Sequence, residues 1–126
     1  MSLKYVISIA VAGLVTMSLA LAYALVAGDF RTDALELMEN PWGLATLVDA
    51  YVGFALFSCW VLWREPLLSR ALLWVVLILA GGNLVSALYV LNALRVSKGN
   101  VAEFWLGSRR QSVSAAARWE PPAHRS

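Results

Sequence analysis

Residues 44–63 read LATLVDAYVGFALFSCWVLW, an apolar run interrupted by one charge, Asp49. The run does not alternate with period two, so it is not a barrel strand. Its length suits a helix crossing a hydrocarbon core about 30 Å thick, which takes about 20 residues. A carboxylate inside such a segment needs a partner, a task, or a position outside lipid.

The composition around this run points the same way. Of 126 residues, 60% are hydrophobic and 14% charged, whereas an average soluble domain has about 45–50% apolar and about 25% charged residues. A fold this small keeps too much surface to hide that excess. The surplus must face lipid.

Two further runs qualify as spans. Residues 5–27 are uncharged after Lys4 and stop at Gly28-Asp29, and residues 71–94 are bracketed by Arg70 and Arg95. The sequence therefore predicts an all-α integral membrane three-helix bundle with spans at 5–27, 43–63 and 71–94. Asn40 suits an N-cap and Pro41 the first helical position of the second span, while Pro66 ends it. Ser69 is a candidate cap for the third. Trp42, Trp60, Trp63 and Trp74 lie near span ends, as interfacial aromatic belts do. Residues 22–24, Ala-Tyr-Ala, also fit a signal-peptide cleavage site, but the apolar stretch before them is longer than the usual 7–15 residues, so the segment is read as a span.

Between the first two spans, DFRTDALELMEN carries Asp33 and Glu36 at capping-box spacing and predicts a short helix on the membrane surface. The chain then divides into a bundle over 1–98 and a basic tail over 99–126. The tail is interfacial near Phe104 and Trp105 and disordered toward its Ser-, Ala-, Arg- and Pro-rich end.

Three crossings put the N-terminus and the REPLLSR hairpin on one side of the membrane, and the acidic loop and the tail on the other. Loop carboxylates at Asp29, Asp33, Glu36 and Glu39 would then share a compartment with Arg95, Lys98, Arg109 and Arg110. A plain count of basic residues favours a cytoplasmic tail, but a first helix introduced by Lys4 favours a cytoplasmic N-terminus. The reading leans to the latter, with the tail outside, in a bacterial inner membrane.

Asp49 lies six residues into its span, about 9 Å below the loop side. An aspartate costs roughly 2.5–3.5 kcal/mol at a span centre and less toward the ends. On an antiparallel third span, Tyr89 and Ser86 fall about 8 and 12 Å from the same surface. Asp49, Ser86 and Tyr89, with Asn83 deeper, form the expected polar cluster. Ser8, Ala12, Thr16, Ala20 and Ala24 recur every fourth position and, with Gly82, are the expected helix-packing residues.

Other chemistry is missing. The net charge of +2 does not suggest a nucleic-acid partner. The lone Cys59 excludes a disulfide framework, and His124, the only histidine, lies in the tail. A phosphate loop, metal-ligand spacing, Ser-His-Asp set or haem pair is not found, so no cofactor, no metal and no enzyme activity are expected.

Pro41-Trp42, TLVDAY at 46–51, WRE at 63–65, and Gly82-Asn83 with ALYVL at 87–91 resemble a family of small membrane proteins in bacteria and plants, classed as a domain of unknown function. The resemblance covers residues 40–95 and implies that Asp49 belongs to a recurring pattern. The expected role is an accessory or assembly subunit of a larger membrane complex, with membrane lipids and other subunits as partners. The alternatives are a homo-oligomeric conduction module and a lipid- or small-molecule-binding protein, each using Asp49.

Overall fold

A computed structural model describes residues 2–118, and among these the chain is all-α, without a strand. Helices α1 (Leu3–Ala27), α3 (Pro41–Arg64) and α4 (Leu68–Ser97) are each long and apolar enough to cross a membrane. Helix α2 (Phe30–Glu39) joins the first two. After α4 come α5 (Val101–Leu106), a 3-10 turn (Gly107–Arg109) and α6 (Arg110–Ala117).

Local chemistry sets most of the boundaries. Asn40 Oδ1 accepts from the Trp42 and Gly43 N–H groups at 2.9 and 3.4 Å, with Pro41 at the first helical position. This is the cap expected from NPWG. Helix α2 begins earlier than the Asp33–Glu36 spacing suggested. Asp29 is its N-cap, accepting from Arg31 N–H, and its own N–H donates to Asp33 Oδ2. Ser69 does not cap α4: the N-cap is Leu67, which makes no side-chain cap bond.

The main departure from three straight rods is inside α4. Gly82 has φ +58 and ψ −139, a non-helical conformation in the middle of the apolar run. At 1.5 Å per residue, Trp74 and Tyr89 would stand about 22 Å apart on a straight helix. Their ring centroids are 5.1 Å apart. Helix α4 therefore folds back on itself at Gly82, giving a limb over 68–81 and a second over 83–97. Each limb is about 21–23 Å long, shorter than a hydrocarbon core of about 30 Å. The second limb returns alongside α3 in the same direction: Gly82 meets Phe54, Tyr89 meets Phe57 and Trp60, and Ala93 meets Arg64.

This reversal moves the tail. Arg64 donates to Phe104 O, Trp60 to Trp105 O and Arg109 to Trp63 O, so α5 and the turn after it sit at the hairpin end of α3. Helix α2 packs at the other end, where Leu37 lies against Gly43. Tail and acidic loop are thus separated by the length of α3, about 36 Å, rather than sharing a side. The Ser- and Ala-rich stretch expected to be disordered is helical as far as Ala117; its remainder, 119–126, lies outside the described residues.

The buried core follows from the fold-back. Val61, Ile78, Tyr89, Ala93, Leu94 and Phe104 form it, with Leu3 and Val6 of α1 packed on its edge. Along α1 the buried and half-buried positions within the span are Leu3, Val6, Ala10, Leu14 and Met17, spaced as one helix face. Ser8, Ala12, Thr16, Ala20 and Ala24 are all exposed. The small-residue ladder therefore lies on the outer face and does not hold α1 to its neighbours, because the larger apolar stripe fills that contact.

Gly82→Val is expected to destabilise the protein by about 1–3 kcal/mol, since a β-branched residue strains at this backbone conformation. Its Cβ would also stand 3.1 Å from the Phe54 ring. Thermal unfolding in detergent reads this out, and a wild-type midpoint would refute the fold-back.

Candidate functional site

Two polar sites occupy opposite levels of α3. The deeper-packed one begins at Arg64, the last residue of α3, and its neighbour Glu65, both nearly inaccessible. Burying two charges costs several kcal/mol each unless the geometry and extra hydrogen bonds compensate. Here they are well supplied. Arg64 Nη1 approaches Glu65 Oε1 at 3.3 Å and Tyr89 Oη at 3.4 Å. Its Nε donates to Phe104 O at 2.9 Å and its Nη2 to Ala93 O at 3.5 Å. The Tyr89 hydroxyl donates to Glu65 Oε1 at 2.9 Å. Arg70, half exposed, reaches the other carboxylate oxygen at 3.6 Å.

The backbone explains why an arginine belongs there. Helix C-termini carry partial negative charge on carbonyls that lack helical partners. The ends of α3, of the second limb of α4, and of α5 converge on this point, and Arg64 supplies the cation to two of them. Arg109 and Trp60 cap further terminal carbonyls, those of Trp63 and Trp105. Rings of Trp60 and Tyr89 stand 6.0 and 5.9 Å from the guanidinium, within cation–π range. Gly107, at φ +53, lets the tail backbone pass the Arg64 stem; a Cβ there would come within 2.8 Å of Arg64 O.

The second site is a groove of about 370 Å³ lined by Asp49, Gly53, Phe54, Asn83 and Ser86 among others. Three of the four residues expected to cluster are brought together here, Asp49, Asn83 and Ser86. Tyr89 is not among them. Because the second limb of α4 runs parallel to α3, residues after Gly82 climb away from Asp49 toward the hairpin, and Tyr89 ends up on Glu65. Ser86 also turns inward on its own helix, donating to Gly82 O at 3.2 Å. Asp49 is exposed, about 12 Å along the axis from Pro41, with the α4 tip beside it.

Sequence reading missed the Arg64–Glu65 pair because both residues looked like the ordinary charged end of a span. A signal did exist: Gly81-Gly82-Asn83 is a turn-type triplet in the centre of an apolar run. Reading it as a reversal would have carried Tyr89 and the tail to the hairpin.

Arg64→Met is expected to cost about 3 kcal/mol, the low end for breaking a buried pair, because Tyr89 and Arg70 still hold Glu65. The double variant R64M/E65L should recover most of that loss. Denaturant or thermal unfolding in detergent measures both, and equal loss in single and double variants would contradict the pairing.

No curated protein and no solved structure matches this chain. A family model does, over residues 3–102, a longer stretch than the 40–95 on which the resemblance rested; it takes in α1, the Gly82 reversal, the Arg64–Glu65–Tyr89 cluster and the start of α5. The chain belongs to the family described as protein of unknown function (DUF1475).

Proposed function

We propose that this chain is a non-catalytic accessory subunit of a larger membrane complex, docking through the side of α3 that carries Asp49. One observation carries the reading: an ionisable group lies open toward the lipid-facing side of an apolar helix, next to Asn83 in a groove. An intramembrane carboxylate bare to acyl chains is costly, and a neighbouring protein helix with hydrogen-bond donors relieves it. The outward ridge of Ser8, Ala12, Thr16, Ala20 and Ala24 supports the same reading, since small residues let a second helix backbone approach closely. The Arg64–Glu65–Tyr89 cluster, by contrast, is satisfied internally and gives the subunit a rigid frame.

The charge distribution supports an orientation. Lys4, Arg64, Arg70, Arg95, Lys98, Arg109, Arg110 and Arg118 gather toward the hairpin end, while Arg31 shares the α2 end with Asp29, Asp33, Glu36 and Glu39. An excess of Lys and Arg marks the cytoplasmic side. In this reading the N-terminus, hairpin and tail face the cytoplasm of a bacterial inner membrane, and the acidic loop faces outward.

The chain tagged at native expression level, extracted gently and sized, is expected to emerge with unlike membrane subunits, and Asp49→Ala to release them. A homogeneous monomer from wild type overturns the proposal. For orientation, Asn100→Cys and Ser69→Cys in a Cys59→Ser background should label from one face and Thr32→Cys from the other. Labelling of Asn100→Cys and Thr32→Cys from the same face would reject it.

A further inference from the structure

At the hairpin end, on the opposite level from the Asp49 groove, α6 does not close against the bundle. It leaves an open groove of about 680 Å³ between the hairpin, the end of α4 and the α5–α6 segment. Its charged lining consists of Arg64, Arg70, Arg110 and Arg118 against two carboxylates, Glu65 and Glu103. The carboxylates are already engaged: Glu65 with Arg64 and Arg70, Glu103 with Arg110 at 3.8 Å. Four cations on two anions leave a surplus of two positive charges facing one concavity. Gln111 and Asn92 add neutral donors to the same lining.

Two features say what kind of anion fits. Guanidinium groups present planar forks that match phosphate oxygens and carry little hydration to lose, so a set of arginines is a phosphate-recognising set. The groove also sits where α3 and α4 end, which is the level of the membrane surface. Its wall includes Val96, half exposed, and beside it the hairpin exposes Leu67 and Leu68. Trp63 and Trp105 stand at the same level, as aromatic residues do at an interface. A free phosphate uses none of that apolar rim, whereas a lipid uses both parts. We propose that this groove is a binding site for the phosphate headgroup of an anionic membrane lipid, with Arg70, Arg110 and Arg118 on the phosphate, Arg64 staying in its buried cluster, and the acyl chains leaving past Val96 and Leu67.

Native mass spectrometry of the full chain in detergent, titrated with phosphatidylglycerol, phosphatidylcholine or inorganic phosphate, tests it. Phosphatidylglycerol should be retained in preference to phosphatidylcholine, and excess inorganic phosphate should not displace it. Arg70→Gln and Arg110→Gln, both at half-exposed positions, should each weaken retention about fivefold, as expected for one basic residue at an anionic surface. Arg31→Gln, at the far end of the molecule, should change nothing. Equal retention of the two lipids, a loss with Arg31→Gln matching that of the groove variants, or full displacement by inorganic phosphate would overturn the proposal. Arg70→Lys and Arg110→Lys keep the charge and should retain an intermediate affinity; wild-type retention in the glutamine variants would also reject the site.

Discussion

A helix that reverses within an apolar medium must turn without stranding its backbone groups, because unpaired N–H and C=O groups are costly away from water. Helix α4 makes its reversal at one residue, where the Ser86 hydroxyl donates to Gly82 O at 3.2 Å. Gly82 takes a conformation that side-chain-bearing residues rarely adopt, and the two limbs resume helical bonding on either side of it. Phe54 of α3 closes over the turn, shielding it where a side chain would have stood. The position of every later residue follows from that single torsion: without it the tail would emerge beside α2, and Tyr89 would be far from Glu65.

The reversal also creates the demand that the arginine cluster meets. Bringing the second limb up beside α3, and α5 over both, places several helix C-termini together around the buried Arg64 side chain. Their carbonyl ends are collectively negative. One guanidinium, with its fork of donors, neutralises the convergence and binds the single carboxylate beside it. Such a pair is weak evidence for net stabilisation, since replacement by apolar residues is often tolerated. Its service here is geometric. It ties the hairpin to residues 25 to 40 positions further along the chain.

Much of this architecture was legible in the amino-acid order. The spans, the Asn40-Pro41 cap and the surface helix of the first loop each follow from local chemistry that operates within a few residues. Asp49, Asn83 and Ser86 line one groove because they lie close in depth under either topology. What failed was long-range. Hydropathy counts residues and does not record direction, so an apolar run of thirty looks the same straight or doubled. The pairing of Tyr89 with Asp49 rested on a straight rod and fell with it. The small-residue ladder of α1 gave no sign of which side it would take; it lies outward because the apolar stripe of Leu3, Val6, Ala10, Leu14 and Met17 fills the inward contact.

The bond from Arg64 to Phe104 has a consequence for biosynthesis. Its two ends are separated by 40 residues, and chains lengthen at about 5–20 residues per second, so roughly 2–8 s pass between their appearance. During that interval the guanidinium and its Glu65 partner have been made, but the Phe104 carbonyl that accepts from Nε has not. The hairpin must wait at the membrane surface, still hydrated, until the segment around Phe104 leaves the ribosome. Assembly of this end of the molecule is therefore a late, post-insertion event, timed by translation rather than by the partitioning of the apolar helices into lipid.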